Sequence, residues 1–183
     1  MTPLPRGGSF GLVVSLALSL AVLPDLRSAA DAGGTAPLIT TFSIVAYDPD
    51  SREYGIAVQS KFFAVGDVVP FAQANTGALA TQAVGNPLFG PRALELFKKG
   101  LGAQAVIAKL LADDPDRDSR QLGAVDTKGN PATFTGSKCL PWAGGKTGEH
   151  YTVQGNLLAG PQVLDAMAAA YEAARGDLAS RLV

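Results

Sequence analysis

The sequence predicts an α+β domain in which sheets are stacked against helices, and three observations lead there. The stretch TFSIVAYDPDSREYGIAVQS, Thr41 to Ser60, reads as two strands around a turn and is apolar at nearly every strand position. A hairpin without apolar/polar alternation needs cover on both faces. Strand-like and helix-like segments then follow in blocks: strands, two helices, strands, one helix. A helix–sheet–sheet–helix sandwich would cover both faces of the hairpin, although a simpler α+β arrangement has the same periodicity.

The elements read as follows. Met1–Gly8 carries Arg6, Phe10–Leu23 is an uncharged apolar run, and Ala30-Asp31-Ala32 is a small-x-small site. That order predicts a signal peptide over 1–32 and an exported protein, secreted or periplasmic. The run falls short of the about 20 residues of a membrane-spanning helix, so no stable span is expected after cleavage; an uncleaved anchor is the alternative. Residues 33–40 form a small, flexible leader or propeptide, and 41–183 a single domain. Asp48-Pro49-Asp50-Ser51 is a turn signal between strands Thr41–Asp48 and Tyr54–Ser60. Thr76–Val84 is a third strand. Pro91 opens a helix that Gly100 closes. The next helix places Val106, Ile107, Leu110 and Leu111 on one face before Pro115 stops it. RQLGAVDTKGNPATFTGS is a hairpin turning at Lys128-Gly129-Asn130, and YTVQGNLL is another strand. The Ala-rich helix Val163–Ala174 offers a close-packing surface for a second copy. Leu178–Val183 begins a helical pattern that stops within about two turns, as a C-terminally truncated domain would.

Composition removes several function classes. The formal charge is −1, with no basic stripe, so no nucleic-acid partner is expected. One cysteine, Cys139, and one histidine, His150, exclude an internal disulfide and the usual zinc spacings. Asp113, Asp114, Asp116 and Asp118 lack the EF-hand glycine and terminal glutamate, and read as a solvated loop. No glycine loop of the phosphate-binding type is present, and no cofactor is expected.

Chemistry centres on the hairpin. If Asp48 and Glu53 are opposite, Thr41 lies across from Ser60 or Lys61, and opposed Cβ atoms sit about 4.5–5.5 Å apart. A threonine hydroxyl needs a base, and one solution is its own N-terminal amine, whose pKa of about 7.7–8.0 leaves it neutral near ambient pH. That requires Thr41 to be the first residue of the processed chain. Lys61 would then favour the neutral amine by like-charge repulsion. Thr41 as the β-branched start of a buried strand is the plain alternative.

The same residues carry a resemblance. TFSIVAYDPDSREYGIAVQSKFFAVGDVVPFAQANTGALATQAVGNPLFGPRALELF, then RQLGAVDTKGNPATFTGSKCLPWAGGKTG and YTVQGNLLAGPQVLDAMAAAYE, closely resemble the DUF1028 family. VQSKFFAVG and QGNLLAG are its specific stretches. The resemblance implies the four-layer αββα sandwich of the N-terminal-nucleophile hydrolases. It implies a domain opening on the threonine of TFS, hence Thr41 rather than Thr40, and continuing past the equivalent of Val183. A looser likeness to the start of a proteasome β-subunit sets Gln59, Ser60 and Lys61 beside the nucleophile. Eight residues of leader would remain before Thr41 after cleavage at Ala32. Either the leader is cut further on, Thr41 attacks the Thr40 carbonyl to release itself, or the site is never armed.

Other residues carry weaker signals. Asn156, ending a strand, suits an oxyanion donor or a turn residue. Asn86, before Pro87, reads as a turn. Ser43 shares the face of Thr41 and reads as a serine bonded to backbone. Cys139 and His150 invite a nucleophile pair, but KCLPWAGG reads as a loop around a packed Trp142 with an inert, buried cysteine. The site expected is therefore Thr41, Ser60, Lys61 and Asn156. The function expected is an exported amide or peptide-bond hydrolase acting on small-molecule, peptidic or cell-wall material, the last by analogy with relatives that carry peptidoglycan-binding modules. The alternative is a non-catalytic binding or scaffolding domain of the same fold.

Overall fold

The computed structural model describes residues 39–183; the predicted signal peptide and leader residues 33–38 lie outside the described residues. Strand β1 (Thr41–Asp48) turns into β2 (Glu53–Ser60) where the Asp48 carboxylate accepts the amides of Asp50 and Ser51 at 2.9 and 3.3 Å. That Asx-type turn fixes the register at Asp48 opposite Glu53 and Thr41 opposite Ser60. On its other edge β1 pairs with β8 (Tyr151–Asn156), which pairs with β7 (Gly144–Gly148). The first sheet is thus β2-β1-β8-β7. The second, β3-β4-β5-β6, joins Pro70–Gln73, Gly77–Ala83, Arg120–Val125 and Pro131–Thr135, and both sheets are antiparallel throughout.

Among the described residues there are five helices: α1 (Val65–Val68), α2 (Phe89–Lys98), α3 (Ala103–Leu111), α4 (Gln162–Ala173) and α5 (Leu178–Leu182). Helices α2 and α3 set Phe97, Val106, Ile107 and Leu110 against Leu79 and Leu122 on the outer face of the second sheet. Helices α4 and α5 set Leu164, Tyr171 and Leu178 against Ile44, Tyr151 and Val153 on the outer face of the first. Each such buried side chain contributes about 1.5–3 kcal/mol. A third core, of Val45, Val69, Ala78, Ala80 and Val125, lies between the sheets. The protein is an α+β sandwich, with β1 buried on both faces as its unbroken apolar pattern requires.

The predicted elements are recovered with small shifts. Helix α2 starts at Phe89, two residues before Pro91, which still sits in the first turn where no amide partner is needed. Gly100 follows the last turn at φ +81°, a left-handed conformation that favours glycine. Strands β3 and β7 were not predicted. Among the described residues no helix is long and apolar enough to cross a membrane.

Candidate active site

Side chains alternate along a strand, so Thr41, Ser43 and Val45 of β1 all face the second sheet. The layer between the sheets changes character along its length. Near the β1–β2 turn it is aliphatic, but toward Thr41 it is built from Ser43, Gln82, Gln121, Gln154 and Asn156, all buried. These groups satisfy one another in a directed chain. Thr152 Oγ1 donates to Gln154 Oε1 (3.0 Å), Gln154 Nε2 to Ser43 Oγ (2.6 Å), and Ser43 Oγ to Gln82 Oε1 (2.7 Å). Gln82 Nε2 and Asn156 Nδ2 then both donate to Gln121 Oε1, at 2.8 and 3.0 Å. Gln121 Nε2 shares its two protons among Thr135 Oγ1 and the carbonyls of Gly144 and Gly155. Glycine at 123 makes room: a Cβ there would stand 2.1 Å from Gln154 Oε1. A buried network with its members bonded to one another in this way is rigid.

Thr41 sits at the open end of this network, between Ser60 and Asn156 in the strand register. Its Oγ1 lies 2.9 Å from Ser60 Oγ, which also accepts the Phe62 amide at 3.1 Å. Asn156 commits one amide proton to Gln121 and retains a second. Thr41, Gln82 and Asn156 line a cavity of about 460 Å³, walled mainly by apolar residues such as Val65, Val69 and Leu157. Two wall residues, Ala83 and Leu157, hold positive φ (63° and 56°), a strained backbone of the sort found at functional sites. Thr40 is tied down next to it, its hydroxyl donating to the Leu157 carbonyl at 3.0 Å.

Of the four predicted site residues, Thr41, Ser60 and Asn156 therefore come together. Lys61 stands one residue beyond the end of β2, exposed, and among the described residues makes no side-chain hydrogen bond or ion pair. Ser43 is corrected: its hydroxyl bonds glutamine side chains rather than backbone, because the sheet facing it presents amides there. The aspartate loop is corrected too. Asp114 is buried in a two-pronged pair with Arg120, at 2.7 and 3.0 Å, so the loop is anchored rather than freely solvated. Those hydrogen bonds from Arg120 hold the Asp114 carboxyl below its ordinary range.

Cys139 is only partly buried and lines the cavity, but it does not pair with His150, which lies at the other end of β8 against Gly129. Burial pushes the Cys139 thiol up, and its Sγ donates to the Arg120 carbonyl at 3.3 Å. A nucleophilic cysteine acts as the thiolate, which this burial disfavours. Among the described residues no group of three His, Cys, Asp or Glu could hold a metal.

The glutamines were not anticipated. The signal was nonetheless present: TGALATQAV, RQLGAV and YTVQGN each carry one glutamine in an otherwise strand-forming run. Three such residues on paired or facing strands predict a shared polar patch, provided the sheet stacking is known.

Comparison with known proteins agrees with this architecture. A solved structure, protein SPO2555 from Silicibacter pomeroyi, described as a DUF1028 protein, superposes with a TM-score of 0.76 at 33% identity over 78% of this chain. The chain spans 64% of that protein's length. No curated protein matches. A sequence model described as a family of unknown function, DUF1028, matches residues 41–183, beginning at Thr41 itself. The chain belongs to the DUF1028 family, whose function is unknown.

Proposed function

We propose that this protein is an exported amide hydrolase of the N-terminal-nucleophile type, with an αββα sandwich of that class and Thr41 as its nucleophile. The observation that carries the reading is the position of Thr41: first residue of a doubly covered strand, on a cavity wall, its hydroxyl 2.9 Å from Ser60 Oγ. The start of the family match at the same residue supports it.

Arming the site requires a free amine at Thr41. Attack of Thr41 Oγ1 on the Thr40 carbonyl carbon forms an ester as the Thr40–Thr41 C–N bond breaks, and the hydroxyl proton passes to the departing nitrogen. Water then cleaves the ester, leaving a carboxylate on Thr40 and an N-terminal Thr41. With a substrate amide, the freed amine takes the Thr41 hydroxyl proton while Oγ1 attacks the carbonyl. That proton leaves on the product amine, and water releases the acyl group. Ser60 orients Oγ1. Asn156, clamped by Gln121, offers its remaining amide proton to the developing oxyanion, a contribution of about 3 kcal/mol where geometry is met. Lys61 acts at longer range by opposing protonation of the amine, an effect that added salt weakens.

The test is covalent trapping. A chain beginning at Thr41 is mixed with p-nitrophenyl acetate and the intact mass is read. One acetyl adduct, absent from Thr41→Ala, is the expected result. Equal labelling of Thr41→Ala, or none at all, defeats the reading. A second reading, a non-catalytic binding domain, is favoured by the tie from Thr40 Oγ1 to Leu157, which holds the residue before Thr41 in place. Under it, no chain is labelled at residue 41.

A further inference from the structure

We propose that the cavity beside Thr41 takes a short amide bearing an aliphatic group and a free carboxylate, and that Lys138 selects the carboxylate. The amide rests on the reading of Thr41 as nucleophile; the aliphatic group and the carboxylate rest on the cavity.

Size comes first. About 460 Å³ falls within the about 300–1,000 Å³ of small-ligand sites, so a compact molecule is indicated. The rim gives the apolar part. Phe62, Val84 and Leu140 line the cavity although they are 51%, 57% and 57% exposed. Phe63 and Leu88, more exposed still, adjoin lining residues in the chain. Scattered exposed hydrophobics need no explanation, but a set gathered at one concave mouth marks a binding surface.

Charge gives the rest. Lys138 is the one charged residue lining the cavity among the described residues, and its ammonium pairs with no carboxylate there. With no aspartate or glutamate on the wall, a cationic ligand has no counter-charge. A single lysine matches a monovalent carboxylate. The polar floor of Thr41 and Asn156 then meets the amide.

Calorimetric titration of the chain beginning at Thr41 tests this with three probes: N-acetylleucine, N-acetylleucinamide and N-acetylglycine. N-acetylleucine should bind about fivefold more tightly than its uncharged amide, the scale of a solvent-facing ion pair. It should bind about tenfold more tightly than N-acetylglycine, which lacks the aliphatic group. Lys138→Met should erase the preference for acid over amide while leaving affinity for the amide unchanged. Equal binding of acid and amide, a preference that survives Lys138→Met, or no binding of any probe overturns the proposal. Release of free leucine from N-acetylleucine, followed in the same samples, reports on Thr41 separately. Selective binding without release removes the hydrolase reading alone, and release without selectivity removes this inference alone.

Discussion

Replacing Gln121 with leucine tests whether the glutamine network holds the two sheets together at the site. Gln121 is fully buried and takes part in five hydrogen bonds: two accepted at Oε1, three shared by Nε2. Leucine fills most of the volume but makes none of them. Each lost bond costs about 1 kcal/mol net, and a buried donor left alone costs about 1–3 kcal/mol. Gln82 Nε2 keeps the Gln154 carbonyl at 3.3 Å, whereas Asn156 Nδ2 loses its partner. Added leucine burial offsets part of the loss. The balance is a destabilisation of about 4 kcal/mol, a large fraction of a domain's usual 5–15 kcal/mol. Urea denaturation should show the midpoint falling by about 2 M at unchanged slope, for a slope of about 2 kcal/mol/M. Thr135→Val removes a single Gln121 contact and should lose only about 1 kcal/mol. If Gln121→Leu costs no more than Thr135→Val, the network is not what joins the sheets, and the clamped orientation of Asn156 loses its basis.

Three further outcomes follow from the same geometry. Gly123→Ala places a methyl 2.1 Å from Gln154 Oε1, forcing that amide off Ser43, and should cost about 2–3 kcal/mol in a urea titration. Ser60→Ala removes the partner of Thr41 Oγ1 and the acceptor of the Phe62 amide; stability should fall by about 1 kcal/mol, while the rate of acetyl labelling of a chain starting at Thr41 falls at least about tenfold. Asp114 has its folded pKa lowered by Arg120, so its contribution is present above the ordinary carboxyl value of about 3.9 and is lost as pH falls through the folded value. Asp114→Asn should therefore cost about 1–3 kcal/mol at neutral pH, where Arg120 keeps only the Val84 carbonyl and Asp116 at 3.4 Å, and should flatten the decline of stability with acid below about pH 4.

The parts of this molecule that were legible in the sequence are those fixed by local chemistry. The Asp48 turn alone sets the β1–β2 register, and with it the neighbourhood of Thr41 and Ser60. Pro91 with Gly100 and the apolar face of α3 likewise speak through single helices. What stayed hidden depends on distant partners. Strand β7, GGKTG, has no apolar residue and is a strand only because β8 pairs with it. The glutamines look like surface residues until two sheets face each other, when amides from β4, β5 and β8 meet. Asp114 looked solvated because its partner is a buried arginine, a residue type seldom found inside without a counter-charge.

The most direct test of the central claim is the N-terminus of the exported protein, read by intact mass and N-terminal sequencing beside a Thr41→Ala variant. A wild-type chain beginning at Thr41, with the variant retaining its leader, is the predicted result. If both chains begin at Gly33, Thr41 has no free amine to act as base, and the proposed chemistry is contradicted.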